Sequence, residues 1–307
     1  MGRQRGRRTA SRHLALTRRG FLAATATACV AAGTAGAGLA AGTAAAEPPD
    51  AVRFGLTPVF LTNDLQLLSN LQSYLERATG LPVQLVTRRT YQEITALLVS
   101  GQLNAAWICG YPYVQFREQL ELLAVPVWRG ETLYQSYLIV DAARPAAGFA
   151  DLAGDVHAFS DPDSNSGYLV TRALLAERGQ APEAFFRRVI FTYGHRNVVR
   201  AVASGLAQSG SVDGYVLEVL AEVEPELAGR VRVLRKSEWL GFPPVAAAKS
   251  QAALPHVRRL QTALVEMADD PLGREVLALL RLDGFAERPG ALFDSIASKV
   301  DLVRSFG

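Results

Sequence analysis

The chain has 307 residues, of which 32 are basic, 29 are acidic and 49% are hydrophobic. Seven of the basic residues and none of the acidic ones lie in residues 1–46, so the rest of the chain carries a net charge of −4. This balance, without a basic stripe interleaved with aromatic residues, excludes a nucleic-acid-binding protein, and no segment after residue 46 is long and apolar enough to span a membrane.

The first 46 residues are predicted to be an export signal. Arg18 and Arg19 precede Phe21-Leu22, and a stretch rich in Ala, Gly and Thr ends at Ala44-Ala45-Ala46. This order is typical of a twin-arginine signal peptide, which would place the protein in the periplasm. A membrane anchor is disfavoured because large aliphatic residues are scarce. Lipidation of Cys29 is disfavoured because no large aliphatic residue stands just before it.

Removal of the signal would leave Cys109 as the only cysteine. A single thiol in an oxidising compartment cannot form an intramolecular disulfide. Cys109 is therefore expected to be buried or to be used in binding.

Beyond residue 46, predicted strands alternate with predicted helices. In the first half, strands are expected at Ala51–Thr57, Val83–Thr87, Ala105–Ile108, Leu122–Trp128 and Gln135–Val140. Helices are expected between them at Asp64–Thr79, Tyr91–Ser100 and Tyr113–Leu120. In the second half, strands are expected at Val156–Phe159, Val189–Thr192, Val212–Tyr215 and Val231–Leu234. Helices are expected at Tyr168–Arg178, Asn197–Ser204 and Leu217–Ala221, before a mostly helical tail from Pro255. Such alternation predicts α/β sheets covered by helices.

Ligands of open α/β sheets bind beyond the carboxyl ends of strands. Three loops stand at such ends, namely Thr57-Pro58, Cys109–Pro112 and Asp161–Gly167. The third loop places Ser164, Asn165, Ser166 and Gly167 where a helix begins, and a helix N-terminus offers free N–H groups to an anion. Ser and Asn are also ordinary capping residues, so this segment alone is consistent with a cap or with an anion site.

Seven segments of the sequence, taken in order, resemble the phosphate/phosphite/phosphonate class of ABC-transporter substrate-binding proteins. They are RFGLTPVF, RTYQEITALLVSGQLNAAWICGYPYV, YQSYLIV, DLAGDVHAFSDPDSNSGYLVTRALL, YGHRNVVRAVASG, SVDGYV and GFPPVAA. The resemblance extends from about Val52 to Leu280, and the long second segment is its most specific part.

The resemblance implies a type II periplasmic-binding-protein fold, in which two α/β lobes are joined by crossover hinge strands. Residues 47–137 and 245–307 would form lobe one, and residues 138–244 would form lobe two. The crossovers would be Gln135–Val140 and the segment near Phe242-Pro243-Pro244. No cofactor is implied.

The resemblance also implies ligand contacts. Ser164, Asn165 and Ser166 match the turn that holds the anionic head group, with Asn165 in place of the usual Thr. His195 matches a ligand-facing histidine, although it follows a strand in what is predicted to be a loop. Tyr91 and Tyr134 match aromatic residues of the site, although each is equally consistent with a core position.

Two positions depart from the pattern of the family. The second crossover carries Gly241-Phe242-Pro243-Pro244 instead of the acid that faces an amine, which favours a small anion without an amine over an aminoalkylphosphonate. Cys109 and Tyr111 lie in one loop that is expected to face the cleft, and both are candidate ligand contacts. Cys109 resembles the cleft cysteine of arsenite-sensing relatives, and thiolate is a good ligand for trivalent arsenic. The alternative for Cys109 is an inert buried thiol.

The leading interpretation is a binding protein that delivers a small phosphorus oxyanion to the permease of an ABC importer. The alternative is a sensor subunit that binds arsenite or phosphate and signals to a membrane histidine kinase. An enzyme built on Ser164, His195 and Asp213 is disfavoured, because the chain has no Gly-x-Ser-x-Gly motif.

Overall fold

The computed structural model describes residues 51–58 and 65–306, which belong to one compact unit. The predicted signal peptide lies outside the described residues. Within those residues, no helix is long and apolar enough to cross a membrane.

A six-stranded sheet forms the first lobe, called lobe one here. In chain order its strands are β1 (Val52–Leu56), β2 (Val83–Thr87), β3 (Ala105–Trp107), β4 (Leu120–Val127), β12 (Val245–Ala248) and β13 (Gly284–Ala286). Across the sheet they lie in the order β13-β4-β12-β3-β1-β2. β1 runs parallel to β2 and β3, whereas β12 is antiparallel to both of its neighbours.

A five-stranded sheet forms lobe two. Its strands are β6 (Ser136–Asp141), β7 (Val156–Phe159), β8 (Arg188–Phe191), β9 (Ser209–Asp213) and β10 (Val231–Lys236), in the spatial order β10-β6-β9-β7-β8. β7 is parallel to β8 and β9, and the other pairs are antiparallel.

The two sheets are linked by a short two-stranded ribbon. β5 (Leu133–Tyr134) pairs antiparallel with β11 (Leu240–Gly241). The chain leaves lobe one through β5 and returns to it through β11, so the ribbon is the link between the two sheets.

Helices cover both sheets. They are α1 (Leu65–Thr79), α2 (Tyr91–Val99), α3 (Gly110–Gln115), α4 (Val170–Ala176), α5 (Pro182–Phe185), α6 (His195–Ala203), α7 (Gly214–Val223), α8 (Pro225–Ala228), α9 (Lys249–Ala252), α10 (Pro255–Val265), α11 (Pro271–Leu280) and α12 (Asp294–Phe306). A π-helical turn, Asn165–Leu169, leads directly into α4. Three 3-10 turns lie at Phe149–Leu152, Met267–Asp269 and Gly290–Phe293.

The predicted α/β alternation is confirmed, with four local corrections. The helix predicted at Tyr113–Leu120 ends at Gln115, and Leu120 is instead the first residue of β4. The segment Cys109–Pro112 is not a loop, because α3 already begins at Gly110; Pro112 falls in the first turn, where its missing N–H costs nothing. α6 begins at His195 rather than at Asn197. β9 ends at Asp213, because the Asp213 side chain caps α7 and turns the chain into a helix before Tyr215.

Candidate functional site

The Ser164–Gly167 turn lies at the carboxyl end of β7. Ser164 has an extended backbone, and its Oγ accepts a hydrogen bond of 3.0 Å from the Gly167 N–H. The helix that follows runs without a break from Asn165 to Ala176. All four residues of the turn are buried, so this helix N-terminus faces the interior of the protein and not bulk water.

Glycine is required at position 167 because Ser160, the residue after β7, lies very close to it. The Ser160 N–H donates to the Gly167 carbonyl at 3.2 Å. A Cβ atom at position 167 would lie 1.9 Å from Ser160 Oγ and 2.7 Å from Ser160 Cβ. No larger residue fits there unless the turn moves away from β7.

Lobe one and the ribbon contact this turn through Asn165. The Asn165 N–H donates to the Cys109 Sγ at 3.2 Å, and its side-chain Nδ2 donates to the Tyr134 Oη at 2.8 Å. The other end of the amide, Oδ1, is buried and has no hydrogen-bond partner among the described residues. One residue of lobe two therefore holds a loop of lobe one and the ribbon together, and still has a polar atom to offer a ligand.

Tyr91 extends the contact between the lobes. It is the first residue of α2, which is fixed by a capping box between Thr90 and Glu93. Its N–H donates to Asp161 Oδ2 at 3.2 Å, and its hydroxyl lies 3.2 Å from His195 Nε2. Both partners belong to lobe two, so Tyr91 lies at the boundary between the lobes.

His195 has a defined proton position. It is the first residue of α6 and is buried, not placed in a surface loop. The Asp213 main-chain N–H donates to Nδ1 at 3.1 Å, and desolvation lowers the pKa of the imidazole to about 3. The ring is therefore neutral near pH 7, with its proton on Nε2, and it donates to the Tyr91 Oη.

Both tyrosine hydroxyls of the site therefore act as acceptors toward the protein. Tyr91 Oη accepts from His195, and Tyr134 Oη accepts from Asn165. Burial raises the pKa of each phenol well above its usual value, so both keep their protons. The Tyr91 O–H remains available to donate to a ligand, and the Tyr134 hydroxyl lies within hydrogen-bond reach of the Ser166 side chain in the anion-holding turn.

The site offers neutral donors to an anion and no cationic side chain. Among the buried residues that the structure describes, none is Arg or Lys. The charge of a bound anion would be balanced by hydroxyl and amide hydrogens and by the N-terminus of the helix that begins at Asn165.

Asp213 is the buried acid of this site. Its Oδ1 accepts from the Val216 N–H at 3.3 Å, which caps α7, and its Oδ2 lies 3.5 Å from Ser166 Oγ. Burial raises the pKa of this carboxyl to about 7. The Tyr215 main-chain N–H also donates to this carboxyl, and the contact with Ser166 is longer than a normal O–H···O bond.

Cys109 and Tyr111 have different surroundings. The Cys109 thiol is buried in the site, and desolvation raises its pKa to about 12. Tyr111 is half-buried, and the charged groups that affect its pKa include Asp163 and Arg172 rather than the residues around Cys109. The Tyr111 main-chain N–H donates to the Cys109 thiol, but the Tyr111 ring makes no hydrogen bond to the other predicted site residues in the part of the chain that the structure describes.

Residues 54–288 match the family model described as ABC transporter, phosphonate, periplasmic substrate-binding protein. The chain belongs to this family. It is 27% identical over 241 residues to the phosphate-import protein PhnD of Mycolicibacterium smegmatis, covering 73% of this chain and 75% of that protein. Since the family consists of the substrate-binding components of ABC importers, the protein is a phosphonate/phosphate-type binding protein and not an enzyme.

Solved structures of low sequence identity share the fold. A binding protein of an ABC phosphonate transporter from Pseudomonas aeruginosa superimposes with a TM-score of 0.76 at 19% identity, covering 83% of this chain and 87% of that one. PhnD1 from Prochlorococcus marinus in complex with methylphosphonate superimposes with a TM-score of 0.75 at 14% identity, covering 84% and 99%. This two-lobed type II fold confirms the predicted fold class.

The geometry also disfavours the hydrolase alternative for this family member. Ser164 Oγ accepts a hydrogen bond from the Gly167 N–H. His195 Nδ1 accepts one from a main-chain N–H, so this nitrogen does not donate to a carboxylate. Neither interaction activates a nucleophile. Within the described ranges, no group of three or more His, Cys, Asp or Glu side chains could hold a metal ion.

Two residues that support the site were missed by sequence reasoning. Ser136 Oγ donates to the Ser166 carbonyl at 2.6 Å, and the Asp161 carboxylate accepts from the Tyr91 N–H. A serine in a strand gives no signal of its own. Asp161 stands at the start of the loop Asp161–Gly167, and the position of that loop at a strand end was the signal that could have identified it.

Proposed function

We propose that this protein binds a small tetrahedral phosphorus oxyanion, such as phosphate, phosphite or methylphosphonate, between its two lobes and delivers it to an ABC permease. The ligand would contact the Ser164–Gly167 turn, Tyr91 and Tyr134, and His195 would act through Tyr91, because both of its ring nitrogens are already hydrogen-bonded. Tyr111 is left out of the proposed site, because it is half-buried and joins the network through its main-chain N–H to Cys109 rather than through its ring.

One observation carries the proposal. The hydroxyls of Tyr91 and Tyr134 each accept a hydrogen bond from a buried partner of lobe two, which directs their own protons elsewhere. Two O–H donors from lobe one and the ribbon thus face the buried helix N-terminus of lobe two. Donors on both sides of the boundary between the lobes are what a closing site for an oxyanion requires.

The second crossover supports a ligand without an amine. Phe242 is buried there, with its ring 5.5 Å from the ring of Tyr134 and 5.2 Å from that of Tyr215. Glu238, the nearest acid in the chain, forms an ion pair with Lys299 and is partly exposed. A ligand ammonium at the position of Phe242 would be desolvated without a partner.

The state of Cys109 favours phosphorus over arsenic. With its pKa raised to about 12, the group is a thiol and not the thiolate that binds trivalent arsenic. Its sulfur already accepts the Asn165 N–H, and it is the only cysteine among the described residues. The description of the M. smegmatis relative as a phosphate importer is consistent with this choice.

A thermal-shift panel tests the proposal on the chain without residues 1–46. Phosphate, phosphite, methylphosphonate, aminoethylphosphonate and arsenite would each be added to wild type, Ser166→Ala and the control Ser298→Ala, whose hydroxyl bonds only its own helix. A phosphorus oxyanion at 100 times its Kd should stabilise the wild type and the control by about 2.7 kcal/mol, and Ser166→Ala by less. Stabilisation by arsenite alone would refute the proposal.

We further propose that residues 1–46 export the protein to the periplasm by the twin-arginine route. The paired Arg18-Arg19 before Phe21-Leu22 supports this route. Replacement of both arginines by lysine should leave the protein in the cytoplasmic fraction. Unchanged export of that variant would show that another route is used.

A further inference from the structure

Left-handed backbone at residues other than glycine coincides with contacts between the lobes. In the part of the chain that the structure describes, Arg129, Tyr193 and Arg281 have positive φ values of 53°, 53° and 56°. The two arginines of lobe one form ion pairs with α7 of lobe two. The guanidinium carbon of Arg89, in lobe one, lies 5.5 Å from the ring centre of Tyr193, in lobe two. A side chain with a Cβ is disfavoured in this conformation, so its presence points to a function.

Neither arginine is the residue that its own turn favours. Trp128 and Glu131 exchange both main-chain hydrogen bonds around Arg129-Gly130, and both central residues have positive φ. Such a two-residue hairpin turn favours Asn-Gly. Arg281 ends α11 in the left-handed conformation, where Gly or Asn is usual. The local structure therefore does not explain why arginine stands at these two positions.

α7 presents one face to lobe one. Tyr215, Glu218 and Glu222 lie along this face, at helical spacing. The Tyr215 hydroxyl donates to the main-chain carbonyl of the last residue of α11. Arg129 Nη1 lies 2.6 Å from Glu218 Oε2, and Arg281 Nε lies 2.8 Å from Glu222 Oε2. These three contacts join the lobes without any residue of the proposed ligand site.

The pair of Arg129 and Glu218 is fixed on both sides. The Arg129 guanidinium carbon lies 4.5 Å from the ring centre of Trp128. The Glu218 side chain is only 26% exposed, and its other oxygen accepts from the Tyr137 hydroxyl. Because both partners are already held in place, forming the pair costs less side-chain entropy than an ordinary surface ion pair does.

We propose that the ion pairs Arg129–Glu218 and Arg281–Glu222, together called the α7 latch, hold the two lobes closed and slow the release of the bound oxyanion without touching it. This inference rests on the proposed function. Separation of the lobes would break both pairs, so the pairs stabilise the closed arrangement over the open one. Since the pairs need no ligand, the closed arrangement stays populated in the ligand-free protein as well.

Arg129→Asn and Arg281→Gly are the sharpest variants, because each removes a pair and installs the residue that the turn favours. In stopped-flow measurements with phosphate, each should raise the dissociation rate about threefold, and both together about tenfold. The association rate should change less than about twofold. The urea midpoint of the ligand-free protein should not fall. A merely structural role would lower that midpoint together with the affinity.

Two further variants check the assignment to the pairs. Arg77→Gln is the control, because Arg77 is an exposed arginine whose ion pair with Asp270 lies within lobe one, and it should leave both rates unchanged. Glu222→Gln should match Arg281→Gly, and the double variant should release phosphate no faster than either single variant. An unchanged dissociation rate in Arg129→Asn/Arg281→Gly, or strictly additive effects at positions 222 and 281, would overturn the inference.

Small-angle X-ray scattering separates this inference from the proposed function. The wild type and Arg129→Asn/Arg281→Gly would be refolded from denaturant, which removes any bound anion. The variant should have the larger radius of gyration, because more of its molecules are open. If no phosphorus oxyanion binds to the wild type, the proposed function fails, and equal radii of the two ligand-free proteins would then refute the latch. If phosphate binds and the variant neither releases it faster nor expands, only the latch fails.

Discussion

His195 Nδ1 accepts a hydrogen bond from the Asp213 main-chain N–H at 3.1 Å. This contact fixes the imidazole proton on Nε2, so His195 donates to the hydroxyl of Tyr91. The hydrogen bonds across the boundary between the lobes therefore run in one direction. Asp213 donates to His195, His195 donates to Tyr91, and Tyr91 is left to donate to the ligand.

Tyr91→Phe should weaken binding of phosphate by about 10- to 100-fold. The change removes one donor to the ligand and leaves the buried His195 Nε2–H without an acceptor, a loss of about 1–3 kcal/mol. Tyr113→Phe is the control, since the Tyr113 ring packs on Phe293 and has no hydrogen bond to the site. Equal affinities of the two variants, measured by calorimetry, would contradict the proposed role of Tyr91.

Gly167→Ala should destabilise the protein by about 1–3 kcal/mol, because the new methyl group would overlap Ser160. Gly148→Ala is the control, since a Cβ there meets no atom within 4 Å. Urea unfolding would give both values. The double variant Gly167→Ala/Ser160→Gly should recover part of the loss, and a strictly additive result would show that the overlap with Ser160 is not the cause.

The buried His157 should make the protein sensitive to acid. Its ring nitrogens lie 2.8 Å from Ser209 Oγ and Ser211 Oγ, and desolvation lowers its pKa to about 3. The unfolded chain binds a proton near pH 6.5 and the folded chain does not. The contribution of His157 is therefore full above pH 6.5 and is lost progressively as the pH falls toward 3.

The measurement is the slope of unfolding free energy against pH between 4 and 6. In that range one proton corresponds to about 1.36 kcal/mol per pH unit. His157→Gln should reduce the slope by about this amount relative to wild type. The raised pKa of Asp213 changes the slope in the opposite direction. Because Asp213 is present in both proteins, its contribution cancels in the comparison. Identical slopes would show that His157 is protonated in the folded state.

The elements of the fold were predictable because each has a local signal, whereas the contacts of the site are long-range. The helix start at Tyr91 and the capping position of Ser164 follow from residues within three positions of them. The contacts of Tyr91 with Asp161 and of Asn165 with Cys109 join residues 70 and 56 positions apart. No local pattern encodes such pairs. The Ser164–Gly167 turn was predictable from its helix start, whereas His195, Tyr91 and Tyr134 followed from the family resemblance, and the partners of all these residues only from the structure.

Cys109 should be unreactive in the folded protein. Its thiol is buried, and with a pKa raised to about 12 it supplies almost no thiolate at pH 8. In the chain without residues 1–46, modification by a thiol-specific disulfide reagent should be at least about 100-fold slower in buffer than in denaturant. Rapid modification of the native protein would show that the site opens to solvent or that the thiolate is stabilised.

Cys109→Ser and Cys109→Ala separate the structural role of this residue from a role in recognition. The serine hydroxyl can still accept the Asn165 N–H, whereas alanine leaves that donor to the ligand or without a partner. Cys109→Ser should bind phosphate within about threefold of wild type, because one neutral hydrogen bond replaces another. Cys109→Ala should lose about 1 kcal/mol of stability in the absence of phosphate. If Cys109→Ser instead abolishes phosphate binding while its melting temperature is unchanged, the sulfur itself contacts the ligand, and Cys109 belongs to the binding surface rather than to the support of the Asn165 turn.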